Sequence, residues 1–400
     1  MSWPLVKLSD VASINPRRPL IERGHDVSTS FVPMDAVDEI LGAVVRQDVQ
    51  PYSKVKKGYT HFQDEDVIFA KITPCMQNGK HAVVNALKGG FGFGSTEFHV
   101  IRASKQVLPE WIYFFLRKQD TLDAATKTFT GTVGQQRVPT SFLEALELPL
   151  PPVNVQRLIT TRLKAQLAEV EAARKAAHAQ ADDIALLRTR ALKDALTALD
   201  RMPLKVLGDH APTTSGTTPS RGNQAYWLPA EIPWVKTGEV AFAPVTQTSE
   251  AVSRKALDEC SLMLLPPKTV LVAMYGQGKT RGQSAILEVH ATTNQACFAI
   301  LPNDTWTPEF LYHWLMVNYQ NLRSLSEGRG GNQANLNGAM LKSLQVPAPG
   351  LTEQKEWVKR IQAVLREVDA MKKANQTTLE ELAALPQRLL AQAFNHREAT

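Results

Sequence analysis

Apolar and polar positions follow two patterns that alternate twice along the chain. Residues 1–152 and 200–350 carry short apolar runs: VIFAKI (67–72), HAVVNAL (81–87), TVLVAM (269–274) and SAILEV (284–289). Their length, their branched side chains and the polar loops between them predict buried strands. GFGFGSTEF (90–98) predicts a turn into a further strand. PEWIYFFL (109–116) and PEFLYHWL (308–315) read as aromatic-rich helices that belong to the core. Residues 153–199 and 351–400 follow the other pattern. In the first of these, Ile159, Leu163, Leu167, Val170, Ala173, Ala177, Ala181, Ile184, Leu187 and Ala191 form one stripe. In the second, Trp357, Ile361, Leu365, Val368, Met371, Asn375, Leu379, Leu382, Leu385 and Leu389 repeat the same steps of three and four. The mean step is roughly 3.6 residues per turn, between a coiled-coil seam and a straight helix.

The two halves are copies of one unit. LELPLPPVNVQRL (146–158) and LQVPAPGLTEQKE (344–356) are the same junction, an apolar run, prolines and then a helix start, 198 residues apart. Gln354 falls on Gln156, Arg360 on Arg162 and Val368 on Val170. Upstream, TPEFLYHWL matches LPEWIYFFL and PLKVLGD (203–209) resembles PLVKLSD (4–10). A period this long indicates duplicated domains rather than a solenoid. Asn154 and Thr352 are well placed as N-caps, and the prolines before them stop the helices extending backwards. Each helix should run for roughly 40 residues, about 60 Å. Pro386 should kink or end the second near Leu385.

A helix with one apolar stripe must bury it. Pairing the two tails antiparallel sets the small Ala173, Ala177 and Ala181 against the bulkier Met371, Asn375 and Leu379. The alternative is that each tail packs on its own globular portion. The expected fold is therefore mixed α/β (α+β), with two globular domains separated by two long antiparallel coiled-coil helices in an internal pseudo-twofold repeat. Its parts are 1–152, 153–199, 200–350 and 351–400.

Composition narrows the class. With 44% hydrophobic residues, 400 residues can bury two real cores. No apolar run approaches a membrane span, and MSWPLVKLSD lacks a signal-peptide pattern. Cys75, Cys260 and Cys297 are sparse and widely spaced, which points to a reducing, cytoplasmic setting without a disulfide framework. A net charge of +6 permits nucleic-acid binding without requiring it.

The loops carry the candidate chemistry. TPCMQNGK (73–80) and YGQGKTRGQ (275–283) join strand pairs, while TGTVGQQRV (130–138) and EGRGGNQANL (327–336) precede each junction. Gln and Asn can pair with adenine, and Arg or Lys with guanine, in the major groove. Exposed turns use the same residue types. GQGKT (276–280) lacks the first glycine of a phosphate-binding loop, since position 273 is Ala273, and a strand pattern follows it. The histidines show no metal-ligand spacing. Asp64, Glu65 and Asp66 read as a solvated turn. No nucleophile–base arrangement is visible, so no catalytic and no metal residues are expected.

ITPCMQNGK (72–80), GFGSTEF (92–98), TGTVGQQRVPTSFLEALELPLPP (130–152) and the duplicated helices together resemble type I restriction–modification specificity (S) subunits, over nearly the whole chain. The resemblance implies a non-catalytic subunit with two target recognition domains, each reading half of a split, asymmetric double-stranded DNA site. The helical pair would set the gap and dock two modification (methyltransferase) subunits, which restriction (nuclease and translocase) subunits join. S-adenosylmethionine, ATP and Mg²⁺ would serve those partners, not this chain. Candidate DNA contacts in the first domain are Lys71, Thr73, Gln77, Asn78, Lys80, Gln135, Gln136 and Arg137. In the second they are Tyr275, Gln277, Lys279, Thr280, Arg281, Arg329, Asn332, Gln333 and Asn335. A structural scaffold that presents two domains to protein partners without reading DNA is the competing reading.

Overall fold

The structure is a computed structural model and describes residues 3–132, 135–276, 278–326 and 335–394. The chain divides into two units, Met1–His178 with Gln376–Thr400, and Ala179–Asn375. Each holds one globular portion with part of both long helices.

In the first unit the strands Ala12–Ile14, Phe98–Ala103, Val67–Ala70 and His81–Val83 form an antiparallel sheet in that spatial order. The second unit repeats these four with Thr213–Ser215, Cys297–Ile300, Val270–Ala273 and Ser284–Leu287, and adds Pro244–Val245 parallel to the last as a fifth, edge strand. VIFA and VLVA are buried at every position, which is why they read as unbroken apolar runs rather than as alternation. The helices Pro109–Leu116 and Pro308–Val317 lie on these sheets and bury their aromatic residues there. A second sheet in each unit contains one parallel pair: Ser28–Val32 with Phe91–Gly94, and Ile232–Val235 with Thr292–Thr293.

Two local expectations need correction. Within GFGFGSTEF, residues Phe91–Gly94 are themselves a strand, and the turn into the next strand, Phe98–Ala103, is confined to the residues between them. The glycines of Phe91–Gly94 answer to a close approach: a Cβ on Gly94 would lie 2.4 Å from the Val32 carbonyl oxygen of the parallel neighbour, and one on Gly92 2.9 Å from that of Ser30. Asp66 is not solvated. It is 1% exposed. Its carboxylate accepts Arg102 Nε and Nη2 at 2.8 and 2.7 Å and the Gln63 amide at 2.8 Å.

The repeated junction has a physical reason. In each unit a short ribbon joins the start of the unit to the segment before the helix: Leu5–Lys7 with Glu147–Pro149, and Leu204–Val206 with Gln345–Pro347. An indole N–H donates to the carbonyl of the last strand residue, Trp111 to Pro149 and Trp306 to Pro347, both at 2.8 Å. The helix-start glutamine then ties everything together. Gln156 accepts from the Leu108 amide at 2.8 Å and donates to the carbonyls of Gln106 at 3.0 Å and Pro151 at 2.8 Å. Gln354 accepts from the Thr307 amide and donates to the carbonyls of Thr305 and Pro349 at 2.8–2.9 Å. Both side chains are fully buried. A primary amide is the side-chain group that can both accept and donate twice here.

The long helices are Val153–Thr197 and Leu351–Phe394. They begin one residue before the expected caps, so Asn154 and Thr352 lie inside them. The first intrahelical bonds are accepted by the carbonyls of Pro152 and Gly350. Pro386 lies within the second helix, which continues to Phe394. Tertiary contacts offset the missing amide: Gln387 donates to the Arg117 carbonyl and accepts from the Gln119 amide, and Leu390, Ala393 and Phe394 are buried in the first core.

Within the first unit, Ile159, Leu163 and Leu167 share a core with Leu389, Leu390 and Phe394. Within the second, Ala195, Leu196 and Leu199 share one with Trp357, Ile361 and Leu365, and the Trp357 indole donates to the Ala195 carbonyl at 2.9 Å. The beginning of one helix thus lies with the end of the other in each unit, an antiparallel sense. Each stripe also packs on its own globular portion, so the two modes of burial coexist. Ala177, Ile184 and Val368 are buried, and Val170, Ala181, Leu379, Leu382 and Leu385 partly so. The stripe fails at Ala173, Leu187 and Met371, whose side chains are exposed. A period near 3.6 carries no fixed seam over 45 residues; near position 173 the half-buried side chain is Arg174, beside Glu171.

Among the described residues no helix is long and apolar enough to cross a membrane.

Candidate nucleic-acid interface

In each domain the last residues of the second loop tie to the end of the same buried strand. In the first unit the chain leaves Val67–Ala70 and Lys71 donates its amide to the Glu97 carbonyl at 2.9 Å. Arg137 bridges Ile72, the Thr73 amide donates to the Gln136 carbonyl, and the Val138 amide to the Lys71 carbonyl. Lys71, Thr73, Gln77, Gln135, Gln136 and Arg137 are thereby gathered. In the second unit the Leu336 amide donates to the Met274 carbonyl at 3.0 Å. That is the Val138–Lys71 contact again, and it sets Asn335 beside the loop that begins at Tyr275.

The candidate side chains differ in what they leave available. Gln77, Asn78 and Gln135 are exposed. Gln77 accepts from the Thr73 hydroxyl at 2.6 Å, and Asn78 donates to Glu39 at 3.1 Å. Lys80 donates inward to the Val37 carbonyl at 3.0 Å. Arg137 makes a forked pair with Glu97, 2.8 and 2.9 Å, which holds the Glu97 carboxyl below its usual range and raises the arginine. In the second unit Tyr275 and Lys279 are exposed and Thr280 and Asn335 partly so. Arg281 departs from expectation: its side chain is buried at 9% exposure, because the loop folds back onto the Tyr319–Ser324 helix. Gln277, Arg329, Asn332 and Gln333 lie outside the described residues.

Each loop is clamped by an arginine that sequence reasoning did not single out. Arg117 donates to the carbonyls of Gly79 at 2.8 Å, Glu39 at 3.0 Å and Ile40 at 3.2 Å. Arg323 donates to Gly278 at 2.7 Å and Arg281 at 3.1 Å, and the Tyr319 hydroxyl donates to Lys279 at 2.6 Å. The two arginines do not align in the repeat, so the internal comparison held no signal for them. Replacing Arg323 with alanine should loosen 275–283 by about 1–2 kcal/mol. Amide exchange there should quicken ~5–30-fold, with the melting temperature of the chain little changed. Exchange at the wild-type rate would contradict the clamp.

The loop glycines are structural. Gly276 has φ 130°, and an added Cβ would lie 2.8 Å from that of Thr280. The strand Ser284–Leu287, not a helix, follows GQGKT, which removes the helix N-terminus a phosphate loop needs. Among the described residues no group of three or more His, Cys, Asp or Glu side chains could hold a metal ion.

Three histidines of the first unit have their proton affinity lowered. Burial, then Arg18 and Arg102, push His61 down to about 4. Burial drives His81 well below 6.5, where its ring stacks on Phe69 at 4.1 Å. Burial also lowers His99. The unfolded chain binds these protons near 6.5, so it holds more protons than the folded one below that pH. Stability should therefore fall as pH drops from about 6.5 toward 4. Melting curves at several pH values should show this, and His81→Leu should flatten the dependence. A melting temperature level from pH 7 to pH 5 would contradict it.

Comparison with known proteins places the chain. The family described as "Type I restriction modification DNA specificity domain" matches residues 2–177 and again 204–381. Over 158 residues the chain is 38% identical to the type I restriction enzyme EcoEI specificity subunit of Escherichia coli, 39% of this chain and 26% of that one. Over 161 residues it is 34% identical to the EcoAI specificity subunit of the same species, 40% and 27% of the two chains. The matched stretch thus spans about a quarter of each of these relatives. The crystal structure of the HsdS subunit from Thermoanaerobacter tengcongensis superposes with a TM-score of 0.73 at 20% identity, over 99% of this chain and 97% of that one, a likeness of fold. Two copies of the domain, together covering most of the sequence, make this chain a member of the type I restriction–modification DNA specificity family.

Proposed function

We propose that the chain is the non-catalytic, DNA-reading subunit of a type I restriction–modification assembly and binds a two-part asymmetric site in duplex DNA, one half per globular domain. The observation that carries this reading is the repeated loop pair. Residues 71–80 with 135–138, and 274–283 with 335–336, hang on the same strand frame by the same backbone bond, while their side chains differ. A fixed frame with divergent polar loops suits two readers of different half-sites, because base edges are told apart by side-chain donors and acceptors.

The working parts are 1–152 and 200–350 as recognition domains, with 153–199 and 351–400 as helical spacers. Gln77, Asn78, Gln135, Tyr275 and Lys279 are the exposed candidates for contact. Gln277, Arg329, Asn332 and Gln333 remain candidates on sequence alone. The helices would set the gap between half-sites and dock two methyltransferase subunits. Those partners and the nuclease–translocase subunits would use S-adenosylmethionine, ATP and Mg²⁺. Genome-wide methylation mapping in cells with the partner methyltransferase, with and without this chain, tests the reading. A two-part motif that appears only with the chain is expected. No change in methylation, and no salt-sensitive DNA affinity of the complex, would favour the scaffold reading instead.

A further inference from the structure

Outside the loops, the first unit gathers cations that form no ion pair among the described residues. Arg17 and Arg18 follow the strand Ala12–Ile14, and Lys54, Lys56 and Lys57 surround the short helix Tyr52–Val55. Arg18 joins the two segments. It donates to the Tyr52 hydroxyl and the Lys56 carbonyl and lies 4.9 Å from the Phe93 ring centre. Lys56 Nζ is 3.2 Å from His25 Nε2. Arg17, Arg18, Lys54 and Lys57 are exposed. Among the described residues none of the five cations forms an ion pair, and Glu22 and Asp26 in the intervening stretch reach none of them. Ordinary surfaces intersperse the two signs. Two guanidiniums and three lysines on neighbouring segments repel one another, and a shared external anion relieves that repulsion.

The second unit offers an internal comparison. There the strand Glu250–Val252 pairs antiparallel with Ile232–Val235 and leads into the helix Arg254–Glu259, as Asp48–Pro51 pairs with Ser28–Val32 and leads into Tyr52–Val55. Its charges balance: Arg254 and Lys255 stand with Asp258 and Glu259, and Lys255 reaches Glu259 at 3.9 Å. At this place in the fold the excess of positive charge is found in the first domain and not in the second.

The patch is close to the candidate loops. Three residues after Lys57 the strand Thr60–Gln63 begins, and Thr60 pairs with Gly94. Three residues beyond Gly94 stands Glu97, which accepts from the Lys71 amide and pairs with Arg137. That path is at most about 25–30 Å of extended chain and one strand spacing, within the footprint of a short duplex.

We propose that Arg17, Arg18, Lys54, Lys56 and Lys57 form a contact surface for the phosphodiester backbone of duplex DNA, present in the first domain and not the second. The inference rests on the DNA-reading function above and adds a sequence-independent contact outside the base-reading loops. Phosphate contacts release counterions and steepen the salt dependence of binding, and they carry no base information.

The test uses the full chain in complex with its methyltransferase partner. The variant Arg17→Gln/Lys54→Gln/Lys57→Gln is compared with the wild type and with Arg254→Gln/Lys255→Gln. All substituted side chains are on the surface, and thermal melting checks that they leave the fold intact. Affinity for a duplex carrying the mapped site is measured across salt concentrations. The triple variant should lose about 0.9 in the slope of log K against log salt for each phosphate contact removed, with the methylation motif unchanged and the second-unit control like the wild type. A wild-type slope in the triple variant, an equal loss in the control, or an altered motif would each overturn the proposal. A wild-type complex without salt-sensitive DNA affinity would instead overturn the DNA-reading function itself.

Discussion

Leucine in place of Gln354 should destabilise the second unit by about 3–5 kcal/mol, and leucine in place of Gln156 the first by a similar amount. Each change strips partners from one amide N–H and two carbonyls in a fully buried site, and each buried group left unsatisfied costs ~1–3 kcal/mol. The effect is local because all three partners belong to the junction. Amide exchange at 305–307 and 349–356 should rise together for the Gln354 variant while 106–108 and 151–158 stay protected, and the reverse for Gln156. Denaturant titration gives the magnitude. A loss below about 1 kcal/mol in both variants would mean that the prolines and the ribbon, not the glutamine, anchor the helices.

Leucine in place of Arg102 should cost the first unit about 3–5 kcal/mol, because it leaves the Asp66 carboxylate buried with a single backbone donor. At the equivalent position the second unit has no buried carboxylate. Thr269 is the equivalent residue, equally buried, and its hydroxyl donates to the Pro266 carbonyl at 2.8 Å. Two cooperative unfolding steps should therefore separate in the Arg102 variant, the first domain melting earlier. Adding Asp66→Asn should recover part of the loss, since it removes the uncompensated charge. Unfolding of Arg102→Leu at the wild-type midpoint would show that the pair contributes nothing.

Much of the fold was legible because the chain carries its own comparison. The junctions align at a constant offset, and Gln156 and Gln354 proved to be the paired residues with the most to do. Their reason was not legible, since two of the three partners of each lie 47–50 residues before the glutamine. Buried strands were readable from unbroken apolar runs. The strand Phe91–Gly94 was not, because its glycines reflect the backbone of a parallel neighbour that the sequence does not display. Asp66 looked solvated at the end of a run of three acids, and only its distant partner Arg102 explains its burial. Pro386 does not end the helix, for a related reason: helix rules are local, and contacts from Gln387 to Phe394 carry the helix past it. In the candidate site, residue type singled out the loops but not which of their side chains remain available. Arg281 is turned inward and Arg137 is engaged by Glu97. The clamping arginines escaped notice because Arg117 and Arg323 reach the same task from positions that do not align.

The central claim is that each globular domain reads one half of a DNA site independently of the other. Exchanging residues 204–347 for the matching segment of a relative with a different known motif, then mapping methylation in the presence of the partner subunits, tests it most directly. The account predicts that one half of the motif changes to the donor's while the other half and the gap between them stay as they were. A motif altered in both halves, or altered in neither by a folded hybrid, would contradict it.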